Sequence, residues 1–522
     1  MIIQMNKKTK VLLIVIITIL VSILAFCQIY PLVIKNPPKD FKPIEISEAK
    51  SKPDINMTLS YLYNVSREKH PNGSEANYKV RDYIVSCLNE IKVQYDIQSV
   101  NLDEEFFIKD GKRIKENLED IKSKYYKYLL KKARNKNIDD LMKNEFNYNS
   151  FDEFYTKEIL NGKSIDEQVE EIISENKEKY KNHTLNNIIV KLGSTNNENA
   201  KDIVLVAHYD SALESYGAGD DGVCVASLLE TIRCTKDEKF KNNVYIVFTD
   251  GEERNFWGAY ELIEYKGFNP SLFINFDNSG NSGRLVLYHY NNYAAVKQYF
   301  SEIKNECSYS FANDILYDTE NNSPDNMFVQ AECSDAFVFD KNGYNTLDFA
   351  LTGNPFYYHS SRDNFSNIDV KTLNNMTKSM IEMVKYYGNN DILLTQKENN
   401  IHFNLLNGVV ISIDKNIYII LSIMLIIVDL IYIGILFKQH KKIWKKIFTI
   451  LCVLGAIITL IVFKCFSFAF LIPPMIMLIL EFIKNKKIKE ITSIVLYELY
   501  LFVLVQPIFM IIQFMLWSGF GH

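Results

Sequence analysis

Residues 244–262 read VYIVFTDGEERNFWGAYEL. Apolar β-branched and aromatic side chains fill 244–248, and the run breaks at Asp250, Gly251, Glu252 and Glu253. Apolar residues pointing to both faces read as a buried strand rather than a half-exposed one. That strand delivers two adjacent glutamates at its tip. Burying unpaired carboxylates costs several kcal/mol or forces them to take up protons. A positive group is therefore expected where the strand ends.

From residue 186 onward, short apolar strands (NIIVKLG, DIVLVAHYD, VYIVFTD, FINFD, RLVLYHY, NTLDFAL) alternate with helical patterns such as GVCVASLLETIR. The expected fold class is α/β, a mixed and largely parallel sheet flanked by helices. Ligands of such sheets gather beyond the carboxyl ends of the strands. Those ends hold His208, Tyr209 and Asp210, then Asp220 and Asp221 in GAGDDGV, Glu252 and Glu253, Asp277, and finally His359 in FYYHSSRDN. Two imidazoles with several carboxylates suit a first-row divalent ion, most often zinc, and the surplus of carboxylates suggests two ions sharing a bridging group. One histidine at one strand end is usually a hydrogen-bonded structural residue. Successive tips carrying such groups together point to a metal.

In these motifs, over residues 55 to 390, the chain resembles the co-catalytic di-zinc aminopeptidases of metallopeptidase clan MH. HPNGSEANYKVRDYI, FINFDNSGNSGR and YYHSSRDNFSNID look like its membrane-bound branch, that of the endoplasmic reticulum metallopeptidases and vacuolar membrane proteases. That branch typically has Glu where this chain has Asp277, whereas Asp occurs there in soluble relatives. The resemblance implies a zinc-exopeptidase-like fold. It implies that His208 and Asp277 bind one zinc, that Glu253 and His359 bind the other, and that Asp220 bridges both. It further implies a cis Asp220–Asp221 peptide, Asp210 hydrogen-bonded to the His208 imidazole, and Glu252 as catalytic base. Tyr358 matches a tyrosine that stabilises the oxyanion in some soluble relatives, and simple packing is its alternative role. The implied reaction is hydrolysis of peptide substrates, with aminopeptidase action. A glutaminyl-cyclase-like single-zinc transferase, or a non-catalytic receptor on the same fold, are the alternatives.

The 522 residues carry a formal charge of −5, which argues against a nucleic-acid binder. The eight cysteines show no metal-knuckle spacing; Cys307 and Cys333 are within the soluble part and their pairing is undecided. Residues 11–34 have no charge and follow Lys7, Lys8 and Lys10, the pattern of a signal anchor. Further spans are expected at 417–437, 447–463, 465–483 and 491–517, together four C-terminal helices before a tail at 518–522. The basic stretches KQHKKIWKK and KNKKIKE lie between alternate spans, so the positive-inside rule puts them and residues 1–10 in the cytoplasm. A multi-pass protein with its peptidase domain on the extracellular or luminal side follows. Linkers are expected at 35–54 and 391–416, and a helical insertion, rich in Lys, Glu, Asn and Tyr, at 101–185. Asp429 and Glu498 are ionisable groups inside two of the spans.

Overall fold

The computed structural model describes residues 34–132, 137–193, 199–303, 308–309, 334–394, 400–406, 409–438, 443–462, 467–483, 492–493 and 495–496. The expected spans at 11–34 and 491–517, Glu498, Cys307 and Cys333 lie outside these residues, apart from Ile34 and the few described positions between 492 and 496. Cys87, Cys224, Cys234 and Cys452 are free thiols.

The sheet has eight strands in the order β1-β2-β4-β3-β5-β8-β6-β7. These are β1 (Tyr95–Asn101), β2 (Thr184–Leu192), β3 (Asp202–His208), β4 (Asn243–Thr249), β5 (Pro270–Phe276), β6 (Ser282–Tyr290), β7 (Ser308–Tyr309) and β8 (Thr346–Gly353). The central run β4-β3-β5-β8 is parallel, and β2 and β6 flank it antiparallel. The mixed, largely parallel α/β sheet expected from the sequence is thus present.

Alternation along the central strands sends side chains to two cores. Ile203, Leu205, Ala207, Val244, Ile246 and Phe248 enter the larger one. It is closed by α1 (Ile55–Val65), α2 (Glu75–Ile91), α5 (Val223–Thr235), α7 (Tyr293–Glu302) and α9 (Val370–Asn389). Val204, Val206, Tyr245, Val247 and Phe273 face the smaller core, under α6 (Trp257–Leu262) and α8 (Asp335–Lys341). Burial on both faces is why these strands read as unbroken apolar runs. Helix α2 is capped by Ser74, whose side chain accepts from the Asn77 amide.

Antiparallel β1 and β2 could be joined by a short turn, yet residues 102–183 intervene. Within them α3 (Glu104–Lys132) and α4 (Ile165–Tyr180) pack on each other. Its far end has its own core of Leu129, Ile138, Met142, Phe151, Phe154, Tyr155 and Leu160. Its root is bolted to the domain: Phe106, Phe107 and Tyr180 surround the buried Trp257 edge-on, with ring centroids 5.2–6.2 Å away. Arg113 donates to Glu261 at 2.8 Å and lies over the Tyr260 ring.

The stretch 391–416, expected as a linker, contains an antiparallel hairpin of β9 (Asn400–Leu406) and β10 (Val409–Asp414). Alternating apolar residues in NIHFNLL and VVISID account for the pairing. It leads directly into α10 (Lys415–Lys438), followed by α11 (Ile443–Val462) and α12 (Ser467–Phe482), which pack on one another. Among the described residues one helix, Asn416–Lys438, is long and apolar enough to cross a membrane.

Candidate metal centre

Strand register assembles the site. In the parallel pair β3–β4, His208 stands opposite Thr249; in β3–β5, Val206 stands opposite Asn275. Two residues further on, His208 and Asp277 therefore emerge side by side, while β4 runs past its end into Glu252. At Gly251, φ is +72°, the left-handed region that turns the chain from strand to glutamates.

Two groups of ligand atoms result, each within 4.8 Å: His208, Glu252 and Asp277, and Asp220, Glu253 and His359. All six residues were named from the sequence. Asp220 lies between the groups. Its Oδ1 is 3.1 Å from His208 Nε2, and its Oδ2 is 3.4 Å from His359 Nε2. His359 Nε2 is 3.2 Å from Glu253 Oε2, and His208 Nε2 is 3.8 Å from Asp277 Oδ1. His208 Nδ1 donates to the Asp210 carbonyl oxygen at 3.0 Å, which turns Nε2 toward the carboxylates. The Asp220–Asp221 peptide is cis, as the resemblance implied.

Asp210 does more than the expected orientation of His208. Its carboxylate stands 3.5 Å from Nδ1, and it also accepts from the amides of Glu252 (3.1 Å) and Glu253 (3.3 Å). The fully buried Asp210 thus ties the tip of β3 to the tip of β4. The ring of Tyr358 stacks on His359 with centroids 3.7 Å apart, so packing is at least part of its role.

Several supports escaped the sequence reading. Asp363 accepts from the amides of Gly219 (2.6 Å) and Asp220 (3.2 Å) and from the Ser215 hydroxyl. It binds the loop of His359 to the loop of Asp220. A Cβ at Gly219 would come within 2.8 Å of Asp363 Oδ1, so the approach needs glycine. Asn278 donates to Gly219 O and Asp221 Oδ1 from the third loop. Asp250 receives Asn72, Asn77 and the Asn186 amide, which gives the motif HPNGSEAN its place behind the β4 tip. In sequence, Asp363 and Asn278 look like ordinary loop residues; only distance in the chain, not chemistry, hid them.

The electrostatics are those of a site built for cations. Burial raises the pKa of Glu252, with Asp277 adding to it, and burial likewise raises Asp277 and Glu253. Burial acts on Asp220 too, but the neighbouring imidazoles of His208 and His359 outweigh it and hold it down at about 2. Burial opposes the charge on His359, yet Asp220 and Glu253 push it up to about 10. Asp220 Oδ2 and Glu253 Oε1 are buried without a hydrogen-bond partner. Four carboxylates crowd two imidazoles, a charge that two divalent cations would balance; the donor set of imidazole nitrogen and carboxylate oxygen fits zinc.

Residues 187–384, which include every residue of both groups, match the model of Peptidase family M28. Over these residues the chain is similar to that peptidase family. Among curated relatives, it is similar to the vacuolar membrane protease of Candida dubliniensis, 29% identical over 209 residues, which are 40% of this chain and 21% of that protein. The vacuolar membrane protease of Schizosaccharomyces japonicus is 30% identical over 193 residues, 36% of this chain and 22% of that one. The chain thus covers about a fifth of the length of these relatives. Among solved structures, the aminopeptidase from Aneurinibacillus sp. strain AM-1 aligns at a TM-score of 0.41 and 13% identity, covering 66% of this chain and 96% of that one.

Proposed function

We propose that the chain is a membrane-anchored zinc-dependent peptidase, most simply an aminopeptidase, with two zinc ions per chain. His208 and Asp277 would hold one ion, Glu253 and His359 the other, and Asp220 both. The observation that supports this best is that the two oxygens of Asp220 each approach a different imidazole, 3.1 and 3.4 Å away. When bound, the ions would make water acidic near neutral pH and polarise the scissile carbonyl.

The chain's own groups do the rest. Glu252, next to Glu253 in sequence but in the other ligand group, takes the proton of the attacking water and returns it to the leaving amine. Its burial favours proton uptake, which suits a base that must hold that proton between the two steps. Asp210 fixes the Glu252 and Glu253 amides and the His208 ring, so base and ligands keep one geometry. Tyr358 is the candidate donor to the developing oxyanion.

The family match and the relatives' description as vacuolar membrane proteases support peptide substrates and a bilayer setting. The apolar helix Asn416–Lys438 supports anchoring. In this reading the anchor at 11–34 and four C-terminal spans hold the peptidase domain on the luminal or extracellular side. The domain runs over 55–390.

The purified full chain, offered free and N-blocked peptides, tests this. Release of N-terminal residues from free peptides alone, abolished by a chelator and restored by zinc, is expected. Hydrolysis indifferent to chelation, or no hydrolysis at all, would overturn the reading.

A further inference from the structure

The loop that carries His359 has a second face. Behind it opens a cleft of about 630 Å³ lined by, among others, Tyr63, Arg67, Tyr216, Ser361, Phe365 and Ser366. Its size lies within the roughly 300–1,000 Å³ usual for ligand sites. We propose that this cleft receives a carboxylate of the peptide substrate and that Arg67 selects it. The proposal rests on the peptidase reading and names the substrate class that reading leaves open.

Charge decides the chemistry. Among the described residues Arg67 is the only charged one lining the cleft, and no acidic residue lines it. The other polar lining groups are serine and tyrosine hydroxyls and the amides of Asn364 and Asn367. Among the described residues no carboxylate pairs with Arg67. The nearby acids are engaged elsewhere: Glu68 approaches Lys79 at 3.9 Å, and Glu214 is bound by Lys69. An unpaired guanidinium beside serine and tyrosine hydroxyls is a site for an anion, and its planar fork suits a carboxylate.

Packing holds that guanidinium at the cleft. It lies 5.8 Å from the centroid of the Tyr63 ring, a cation–π contact. Tyr63 meets Phe365 edge-on at 5.2 Å, and Phe41 leans on both. The aromatic floor also offers apolar surface to the body of a peptide.

Connectivity ties the cleft to the metal-facing groups. Ser361 lies two residues beyond His359, so their Cα atoms are at most about 7 Å apart. Tyr216 adjoins Gly217 on the approach to Asp220, and Asp363 clamps those two loops together. An extended peptide advances about 3.3 Å per residue. A carboxylate in the cleft therefore belongs to a residue near the scissile bond, either as an acidic side chain or as the C-terminus of a short peptide.

The test uses the full-length chain and peptides in matched pairs, Glu against Gln near the cut site, each as free acid and C-terminal amide. Turnover is measured on the active chain, and binding on the Glu252→Gln variant. A preference of about tenfold or more for the carboxylate-bearing member is expected. Arg67→Gln should bring that ratio close to one, and Arg67→Lys should restore part of it. A preference that follows Glu identifies the side chain; one that follows the free acid identifies the C-terminus. Equal treatment of both members by the unaltered chain, or an unchanged ratio in Arg67→Gln, would overturn the proposal. Arg67-dependent binding without any hydrolysis would keep the cleft and remove the peptidase reading. Arg67 is exposed, so its replacement does not endanger the fold.

Discussion

The strand tips and the helical insertion use the same charged residue types to opposite ends. At the tips, Asp210, Asp220 and Asp363 are almost wholly buried, and each is met by backbone amides or imidazoles. In the insertion, Lys115 and Asp166 pair at 2.7 Å with side chains 44% and 71% exposed, as do Lys122 and Asp152 with similar openness. Water already satisfies the second kind of charge, so pairing adds little. The first kind has lost its water, so each partner is obligatory. The root of the insertion is intermediate, because Arg113 and Glu261 are largely buried while Lys109 and Glu264 remain open.

Breaking the contrast should give effects that fall in order from tip to surface. Glu252→Gln keeps the shape and removes the base; turnover should drop by about 10²–10⁴-fold with zinc content unchanged, as steady-state kinetics and metal analysis would report. A variant that is fully loaded and active would contradict the role of Glu252. Asp363→Ala strands two buried amide donors and should lower unfolding stability by about 3 kcal/mol in denaturant titrations, with weakened zinc retention.

The pH response sharpens the same point. Burial, with Asp277 adding to it, pushes Asp348 up to about 7, far above an unfolded carboxyl. The folded chain therefore holds this proton more tightly than the unfolded one. The associated stability is present below about pH 4 and is lost as pH rises through about 7. Asp348→Asn should remove that loss, on the order of 4 kcal/mol, so melting curves of variant and parent should diverge between about pH 4 and 7. Parallel curves would count against a buried, proton-holding Asp348.

At the root, Glu261→Ala should cost about 2 kcal/mol, because Arg113 would keep its burial and lose the nearer of its two carboxylates. At the surface, Lys115→Ala should change stability by no more than about 0.5 kcal/mol. Equal costs at Glu261 and Lys115 would erase the distinction between the two regions.

The same contrast explains what could be read in advance. The central strands are apolar on both faces, and their polar tips are abrupt, so β2 to β6 and β8 and the six clustered residues were legible. Strand β1 was not, since YDIQSVN is largely open to solvent and has no apolar run. The cis Asp220–Asp221 bond came only from family resemblance. Asp363, Asn278 and Asn72 had no local signal, because their partners lie 57 to 178 residues away. The hairpin at 400–414 was missed for a different reason: its two short strands adjoin a long apolar segment that dominated the reading.

The central claim is that the two loops and three strand tips enclose two zinc ions sharing Asp220. Anomalous diffraction at the zinc edge from crystals of the zinc-loaded full chain tests it most directly. Two peaks are predicted, one beside His208 and Asp277 and one beside Glu253 and His359, with Asp220 touching both. A single peak would contradict the account and favour the single-zinc transferase, and a peak away from these residues would end it.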